Sequence, residues 1–459
     1  MNLQDLHKVY FIGIGGIGMS AIARYFLSRG VAVYGYDRTE TSLTQALVAE
    51  GAAIHYTDDP AFIPEGIDLV IYTPAIPASH SELVFFQNNG YPIKKRAEVL
   101  GIISRGMKTA AIAGTHGKTT TSSITAHLLR TGGIDCTAFL GGIVKNFQSN
   151  FLIGKSDWVV VEADEYDRSF LHLSPDIAVI LSMDADHLDI YGDSQTLLDT
   201  GFMAFARQVK PGGRLWVQNG LIPQFTGFNN VSGFGIDQGR SQARNVGVED
   251  GYFVFDYVGE GITIERLRLP MPGRHNVENA TAAITVALHT GVNVSAIREG
   301  LATFGGVKRR FEFIYRDEHR VFIDDYAHHP TEIKAVVQAA RQLFPGRKLT
   351  GVFQPHLFSR TRDFAAGFAE ALDGFDDILL LDIYPARELP IPGVTSDIVF
   401  NKMKNPHKQL LDKSSLMEAL SQRHLDVLMT IGAGDIDTFI NPIEAMLAST
   451  KGVHNTTVG

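Results

Sequence analysis

The sequence predicts an α/β protein of three domains, and three observations carry that prediction. Apolar runs that end in glycine or polar residues and lead into helical stretches recur along all 459 residues. Two glycine-rich turns sit at such strand–helix junctions, Gly13-Ile14-Gly15-Gly16-Ile17-Gly18 and Gly114-Thr115-His116-Gly117-Lys118-Thr119-Thr120. Beyond residue 300 the strand with a polar end repeats four times. With 45% apolar residues the chain can bury more than one core, and its length suggests about three domains.

The first unit opens with the strand His7 to Ile12, the glycine turn, and a helix to about Arg29. A second strand, Val31 to Tyr36, ends in Asp37. A G-x-G-x-x-G turn followed about 20 residues later by an acid is a dinucleotide fingerprint: the glycines admit a pyrophosphate and the acid meets a ribose. The plainer alternative is a tight turn that packs helix on strand. A further strand, Leu69 to Tyr72, runs into Thr73-Pro74-Ala75-Ile76-Pro77, and the unit closes near Gly101 to Gly106.

The second unit starts with the apolar run Thr109 to Ala113, the turn at Gly114, and a helix over Ser122 to Leu129. A glycine turn there aims backbone N–H groups and a helix N-terminus at phosphate oxygens. Lys118 would reach the β/γ-phosphates and the Thr119 hydroxyl a magnesium ion. Ala111 stands where the full phosphate-loop pattern has its first glycine, so only the short form is present. Two later strands, Trp158 to Val161 and Ile177 to Leu181, end in Glu162-Ala163-Asp164-Glu165 and in Asp184-Ala185-Asp186-His187-Leu188-Asp189. Acids at strand ends in the domain of Lys118 read as a metal site, against the alternative of two solvated loops. Glu162 resembles the magnesium carboxylate of phosphate-loop enzymes. For His187 alone a hydrogen-bonding role is the default, because magnesium prefers oxygen. Between Pro211 and Pro270 alternating strands and turns predict an antiparallel insertion. Asn276 and Asn279 then open a helix on one face, placed either to meet an adenine edge or to cap the helix.

In the third unit strands end at Asp324-Asp325-Tyr326-Ala327-His328-His329, at Gln354-Pro355-His356-Leu357, at Asp382 and at Gly432. His328, Arg360 and Arg362 could grip a small carboxylate, since arginine binds one bidentately. Arg309 and Arg310 could reach back to phosphates. The predicted architecture is therefore an N-terminal Rossmann-like domain (1–106), a central phosphate-loop ATPase-like domain (107–302) and a C-terminal Rossmann-like domain (303–459). Such parts suit the coupling of two substrates with ATP energy.

A net charge of −9, with basic clusters only at Lys94-Lys95-Arg96 and Lys308-Arg309-Arg310, argues against nucleic-acid binding. The single cysteine, Cys136, excludes an intrachain disulfide. The N-terminus is no basic leader, and no apolar run approaches the ~20 residues of a membrane-spanning helix. The expectation is a cytoplasmic, soluble protein without membrane contact; no heptad speaks to an oligomer.

Taken in order, Gly114-Thr115-His116-Gly117-Lys118-Thr119-Thr120, Glu162-Ala163-Asp164-Glu165, Asp186-His187, Gly273-Arg274-His275-Asn276-Val277-Glu278-Asn279, Arg309-Arg310-Phe311-Glu312 and Asp325-Tyr326-Ala327-His328-His329-Pro330 resemble the Mur ligases of peptidoglycan synthesis. The likeness covers nearly the whole chain. Gly13 to Ser20 and Lys95-Arg96-Ala97-Glu98 are most similar to the branch that attaches L-alanine. The resemblance implies that ATP phosphorylates the lactyl carboxylate of UDP-N-acetylmuramate and that L-alanine attacks the acyl phosphate. It implies ATP at Gly114, Thr115, His116, Gly117, Lys118, Thr119 and Thr120, with Asn276 and Asn279 on the adenine side and Arg310 and Asp325 nearby. It implies magnesium (Mg2+) at Thr119 and Glu162, with His187 placing a second ion. Gly15, Gly16, Asp37 and Thr73 would bind the UDP end, and His328 and Arg360 the alanine or the reacting carboxylate. The resemblance implies Lys118, His187, Arg310, His328 and Arg360 as the catalytic set.

Two positions depart from the family pattern. Leu357 stands where many relatives carry arginine, which passes that duty to Arg360 or Arg362, and Ala327 stands where glycine is common. Rival readings are a murein-peptide recycling ligase, a folate-polyglutamylating relative, an NAD-dependent oxidoreductase read from the first unit alone, and a nucleotide sensor without catalysis.

Overall fold

Val9, Tyr10, Phe11 and Ile12 are all fully buried, so the first strand is covered on both faces, as a central parallel strand is. In the computed structural model, which describes residues 3–184, 194–386 and 388–449, that strand is the middle of a five-stranded parallel sheet. Its strands are β1 (Lys8–Ile12), β2 (Ala32–Tyr36), β3 (Ala53–His55), β4 (Leu69–Tyr72) and β5 (Ile93–Lys95), in the order β3-β2-β1-β4-β5. The order reverses between β1 and β4, and a crevice opens at the carboxyl ends of strands where it does so. The glycine turn after β1 and Thr73 after β4 flank that point.

The second sheet has ten strands: β6 (Lys108–Ala113), β7 (Thr137–Val144), β8 (Ser149–Leu152), β9 (Trp158–Glu162), β10 (Ile177–Ile180), β11 (Arg214–Gln218), β12 (Val231–Ile236), β13 (Ser241–Glu249), β14 (Tyr252–Gly259) and β15 (Ile262–Leu269). The order is β15-β14-β13-β12-β11-β10-β6-β9-β7-β8. Parallel pairing of β6 with β9 on one side and β10 on the other brings Gly114 and Glu162 to the same sheet edge. The antiparallel insertion predicted between Pro211 and Pro270 needs correction in its first part, β11 to β13. β11 joins β10 in parallel, and β12 and β13 follow in parallel. The 3-10 helix Asn219–Phe225 crosses over between β11 and β12, and such a crossover returns the chain in the same direction where a hairpin would reverse it.

The third sheet runs β16 (Glu312–Arg316), β17 (Val321–Asp325), β21 (Val427–Ile431), β18 (Leu349–Phe353), β19 (Asp377–Leu381), β20 (Lys408–Leu411). Only β16 is antiparallel to its neighbour. Contacts divide the chain into two units: Met1–Val246 with Phe255–Arg268 and Val277–Gly305, and Gly247–Val254 with Leu269–Asn276 and Gly306–Gly459.

Within the first unit, the helix Ile17–Ser28 ties the two sheets together. Tyr25 packs on Phe139 and Phe151, with ring centroids 5.9 and 6.4 Å away. The fully buried Asn150 of β8 donates to the Ile17 carbonyl and to Ser20 Oγ. The glycine turn is thereby held against the central sheet. No helix among the described residues is long and apolar enough to cross a membrane.

Candidate active site

Ala110 to Ala113 are fully buried in β6, and the chain must turn sharply where that strand ends. Gly114 and Gly117 take φ of +135° and +82°, conformations an L side chain rarely adopts. A Cβ on Gly114 would press on the Ser182 backbone at 2.9 Å, and one on Gly117 would meet Asn279 Oδ1 at 2.5 Å. Ala111 lies inside the strand, paired with Ala178 and Val161, so this turn has no use for a glycine there. The helix Lys118–Thr131 begins without a side-chain cap, leaving its first N–H groups for an anion.

Lys118 Nζ donates to Gly114 O at 2.8 Å and to both oxygens of Glu165, at 2.9 and 2.7 Å. Burial works against the ammonium charge, but the carboxylates of Glu165, Asp164 and Glu162 outweigh it and raise the Lys118 pKa. The Thr119 hydroxyl donates to Glu162 Oε1 at 3.1 Å, and Gly141 N donates to Glu162 Oε2 at 2.9 Å. Thr119 and Glu162 thus present neighbouring oxygens, the donor type magnesium takes. No trio of His, Cys, Asp or Glu gathers as a metal site among the described residues, and His187 lies outside them. Thr115 Oγ1 donates to Asp184 O at 3.2 Å, His116 N donates to Ser182 Oγ at 2.8 Å, and His116 Nε2 is 3.1 Å from Asp184 Oδ2. Thr120 is buried in the helix.

The glycine turn after β1 and the carboxyl end of β9 meet in one cavity of about 320 Å³. Gly16, Gly18 and Thr73 line one side, and Glu162, Asp164 and Gly141 the other. Asp37 Oδ2 accepts the Gly15 N–H at 2.7 Å and holds the glycine turn in shape. Arg96 also lines this cavity.

In the second unit Asp325 ends β17, its carboxylate accepting N–H groups from Phe311 at 2.6 Å and Ala327 at 2.7 Å. Burial lifts its pKa to about 6, with Arg310 and those two hydrogen bonds pulling it back. The Arg310 guanidinium lies 5.3 Å from the Tyr326 ring centroid. His328 Nδ1 is 3.0 Å from Tyr326 O, and its backbone N–H donates to Glu332 Oε2 at 3.0 Å. Ala327 is buried, so the structure accommodates its methyl group at this position.

Leu357 is buried and holds φ of +69° at the start of the helix Phe358–Leu372. Arg360 is 8% exposed, whereas the Arg362 side chain is 53% exposed and bonded to Asp363 at 2.7 Å. Arg309 departs from its expected reach: it donates to Asp324 Oδ2 at 2.9 Å and to Gly432 O at 2.7 Å, bracing its own sheet. Asn276 and Asn279 share the first turns of the helix Arg274–His289. Asn276 Nδ2 closes that turn on Pro272 O at 2.7 Å, and Asn279 stands beside Gly117 of the phosphate loop.

Sequence reasoning did not assign Glu165, Gly141 or Arg96. Glu165 carried a signal, as an acid three residues beyond Glu162; Gly141 carried none. Arg96 counted as part of a short basic cluster and of the Lys95-Arg96-Ala97-Glu98 resemblance, with no role of its own.

Three family models match in order. The "Mur ligase family, catalytic domain" covers residues 8–108, the "Mur ligase middle domain" 112–287, and the "Mur ligase, glutamate ligase domain" 309–434. The chain is 51% identical to the UDP-N-acetylmuramate–L-alanine ligase of Cytophaga hutchinsonii, covering 99% of this chain and 100% of the relative. It is 50% identical to the enzyme of that name from Flavobacterium johnsoniae, covering 97% and 99%. The crystal structure of the UDP-N-acetylmuramate–alanine ligase of Thermotoga maritima superimposes with a TM-score of 0.82 at 29% identity, over 96% of this chain and 99% of that one. With all three models matched in the family's order, the chain belongs to the Mur ligase family.

Proposed function

We propose that this protein is an ATP-dependent ligase that joins L-alanine to the lactyl carboxylate of UDP-N-acetylmuramate in peptidoglycan precursor synthesis. The observation that carries the reading is the single cavity in which the glycine turn and Thr73 face Glu162. A sugar nucleotide seated on the turn directs its far end toward the carboxylate that Thr119 and Gly141 hold. Two relatives of about 50% identity carry that activity in their names.

The division we propose is a UDP-sugar domain over 1–106, an ATP domain over 107–302 and an amino-acid domain over 303–459. The γ-phosphoryl group of ATP passes to the lactyl carboxylate, giving an acyl phosphate and ADP. The amine of L-alanine attacks the acyl carbon, a tetrahedral intermediate forms, and inorganic phosphate leaves as the amide is made. A carboxylate approaching a phosphoryl group brings like charges together, and Lys118 offsets the charge that builds up there. Thr119 and Glu162 would hold magnesium, which supplies charge neutralisation on the phosphates; a ligand role for His187 is part of the proposal. Gly114 to Thr120 cradle the phosphates, Asn276 and Asn279 serve the adenine side, and Arg310 and Asp325 complete the ATP set. Gly15, Gly16, Asp37 and Thr73 take the UDP end, and His328 and Arg360 the amino acid. A cytoplasmic setting is supported by the lone, buried Cys136.

The test is phosphate release from ATP and magnesium with UDP-N-acetylmuramate and one amino acid at a time. Release that needs both the sugar nucleotide and L-alanine establishes the reaction. Release with a preformed peptide and not with L-alanine reassigns it to murein-peptide recycling.

A further inference from the structure

The helix Phe358–Leu372 begins without a side-chain cap of its own. Leu357 holds the N-cap position, and an aliphatic side chain has no atom to accept an N–H. The first N–H groups of a helix then need acceptors from elsewhere. Glu388, 29 residues beyond Ser359, supplies one: its Oε2 accepts the Ser359 N–H at 2.9 Å. Its Oε1 accepts the Ser359 hydroxyl. A carboxylate at this end also meets the positive pole of the helix dipole.

The segment that carries Glu388 is fixed to the residues before the helix. Leu357 N donates to Tyr384 O at 3.0 Å, Tyr384 N donates to Pro355 O at 2.8 Å, and His356 and Tyr384 form a parallel bridge. Glu388 N donates to Pro385 O at 2.8 Å, closing the turn that brings its carboxylate back to the helix. Leu357 has φ of +69°, a strained conformation that persists only where its surroundings hold it. Tyr384 bonds Leu357 itself, and Glu388 bonds the residue two further on.

Arg360 follows Ser359 directly, and the next residue, Thr361, is fully buried with its hydroxyl donating back to Leu357 O at 2.7 Å. The turn that aims Arg360 is therefore held from both ends. We propose that Glu388 is a positioning residue for the amino-acid site, pinning this turn so that the Arg360 guanidinium stands ready for the carboxylate of L-alanine. This rests on the reading of Arg360 as the handle on the amino acid. A guanidinium fork takes a carboxylate bidentately in one orientation, and a misplacement of about 1 Å can cost on the order of a hundredfold. Both Glu388 oxygens are engaged by Ser359, which suits a brace and not a substrate contact.

Steady-state kinetics in each substrate test this on wild-type, Glu388→Ala, Glu388→Gln, Arg360→Ala and Arg360→Ala/Glu388→Ala protein, with urea midpoints as the check on folding. Glu388→Ala should raise the KM for L-alanine by about tenfold with kcat held within about twofold, the mark of binding lost equally from ground and transition states. The KM values for ATP and the sugar nucleotide should stay as in wild type. Glu388→Gln, which keeps one acceptor oxygen, should recover part of the loss. Without Arg360, the Glu388→Ala change should add less than about twofold, because it acts through the arginine. An unchanged KM for L-alanine in Glu388→Ala overturns the assignment. So does a loss that persists in full in the Arg360→Ala background, which would put Glu388 on the substrate's ammonium group. An equal rise in all three KM values would make Glu388 a general support of the domain and overturn it too. Arg360→Ala with the wild-type KM, or wild-type protein without L-alanine-dependent phosphate release, sinks the underlying reading and the assignment with it.

Discussion

Lys118 and Glu165 form a closed pair: the ammonium meets both carboxylate oxygens, at 2.9 and 2.7 Å, and donates to the Gly114 carbonyl at 2.8 Å. Its three protons are all engaged, and Glu165 is fully buried. Under the proposed function, a nucleotide phosphate would reach Lys118 by displacing Glu165, which holds the lysine in position.

Lys118→Ala should cost both activity and stability. Loss of a charge-stabilising group lowers kcat by about 10²–10³. Stranding the buried Glu165 carboxylate costs about 3–5 kcal/mol. Adding Glu165→Gln to a Lys118→Met protein should restore most of the stability and none of the phosphate release. Equal urea midpoints for the single and double variants would contradict the ion-pair account.

Gly141→Ala should act on magnesium use. The added methyl would strike the Glu162 carboxylate that Gly141 N now holds at 2.9 Å. Displacing that carboxylate should raise the magnesium concentration for half-maximal activity by roughly tenfold or more. Nucleotide affinity measured without magnesium should stay as in wild type, and a shift there instead would mean the loop had collapsed.

Arg360 and Arg362 should separate cleanly. Arg360 is turned into the protein and Arg362 is half exposed on Asp363. Arg360→Ala should raise the KM for L-alanine by about ten- to hundredfold. Arg362→Ala should change it by no more than about twofold, since exposed pairs contribute little. Steady-state kinetics in L-alanine decide this, and equal effects would remove the distinction.

Glu82 should make the protein less stable as the pH rises toward neutral. The side chain is fully buried and takes the Tyr10 hydroxyl proton in a 2.8 Å hydrogen bond. Burial raises its pKa from 4.5 to about 7, against the pull of that hydrogen bond. Between those values the folded protein keeps a proton that the unfolded chain releases, so stability falls through that window and the loss is complete above it. Glu82→Gln should remove this contribution, gaining on the order of 2–3 kcal/mol at pH 8 relative to pH 4. Urea unfolding at both pH values reads this out; an unchanging difference between the two proteins would refute it.

The parts of the site that were legible in the sequence are those whose chemistry is local. Gly114 to Thr119 combine a turn, a helix start and two functional side chains within six residues. Glu162 is legible because a strand end exposes the residue after it. The first strands after Pro211, β11 to β13, were misread because turn residues look alike before a hairpin and before a crossover. What distinguishes them is whether Asn219–Phe225 packs on the sheet, which is a tertiary fact. Arg309 was misread for a similar reason: an arginine's reach says nothing of which acid captures it, and Asp324, in the sheet beside it, does.

By itself the sequence determined the strand–helix alternation, the two glycine turns and the residue types that can hold phosphate and magnesium. Period, turn chemistry and strand-end position are all properties of neighbours along the chain. Only the tertiary structure decided that Glu165 engages Lys118, that Gly141 and Thr119 hold Glu162, and that Arg96 meets Gly18 in the cavity that Glu162 lines. Those pairings join residues about 20 to 80 positions apart, and they follow from strand order, from helices packing two sheets together, and from the need of buried charge for a partner.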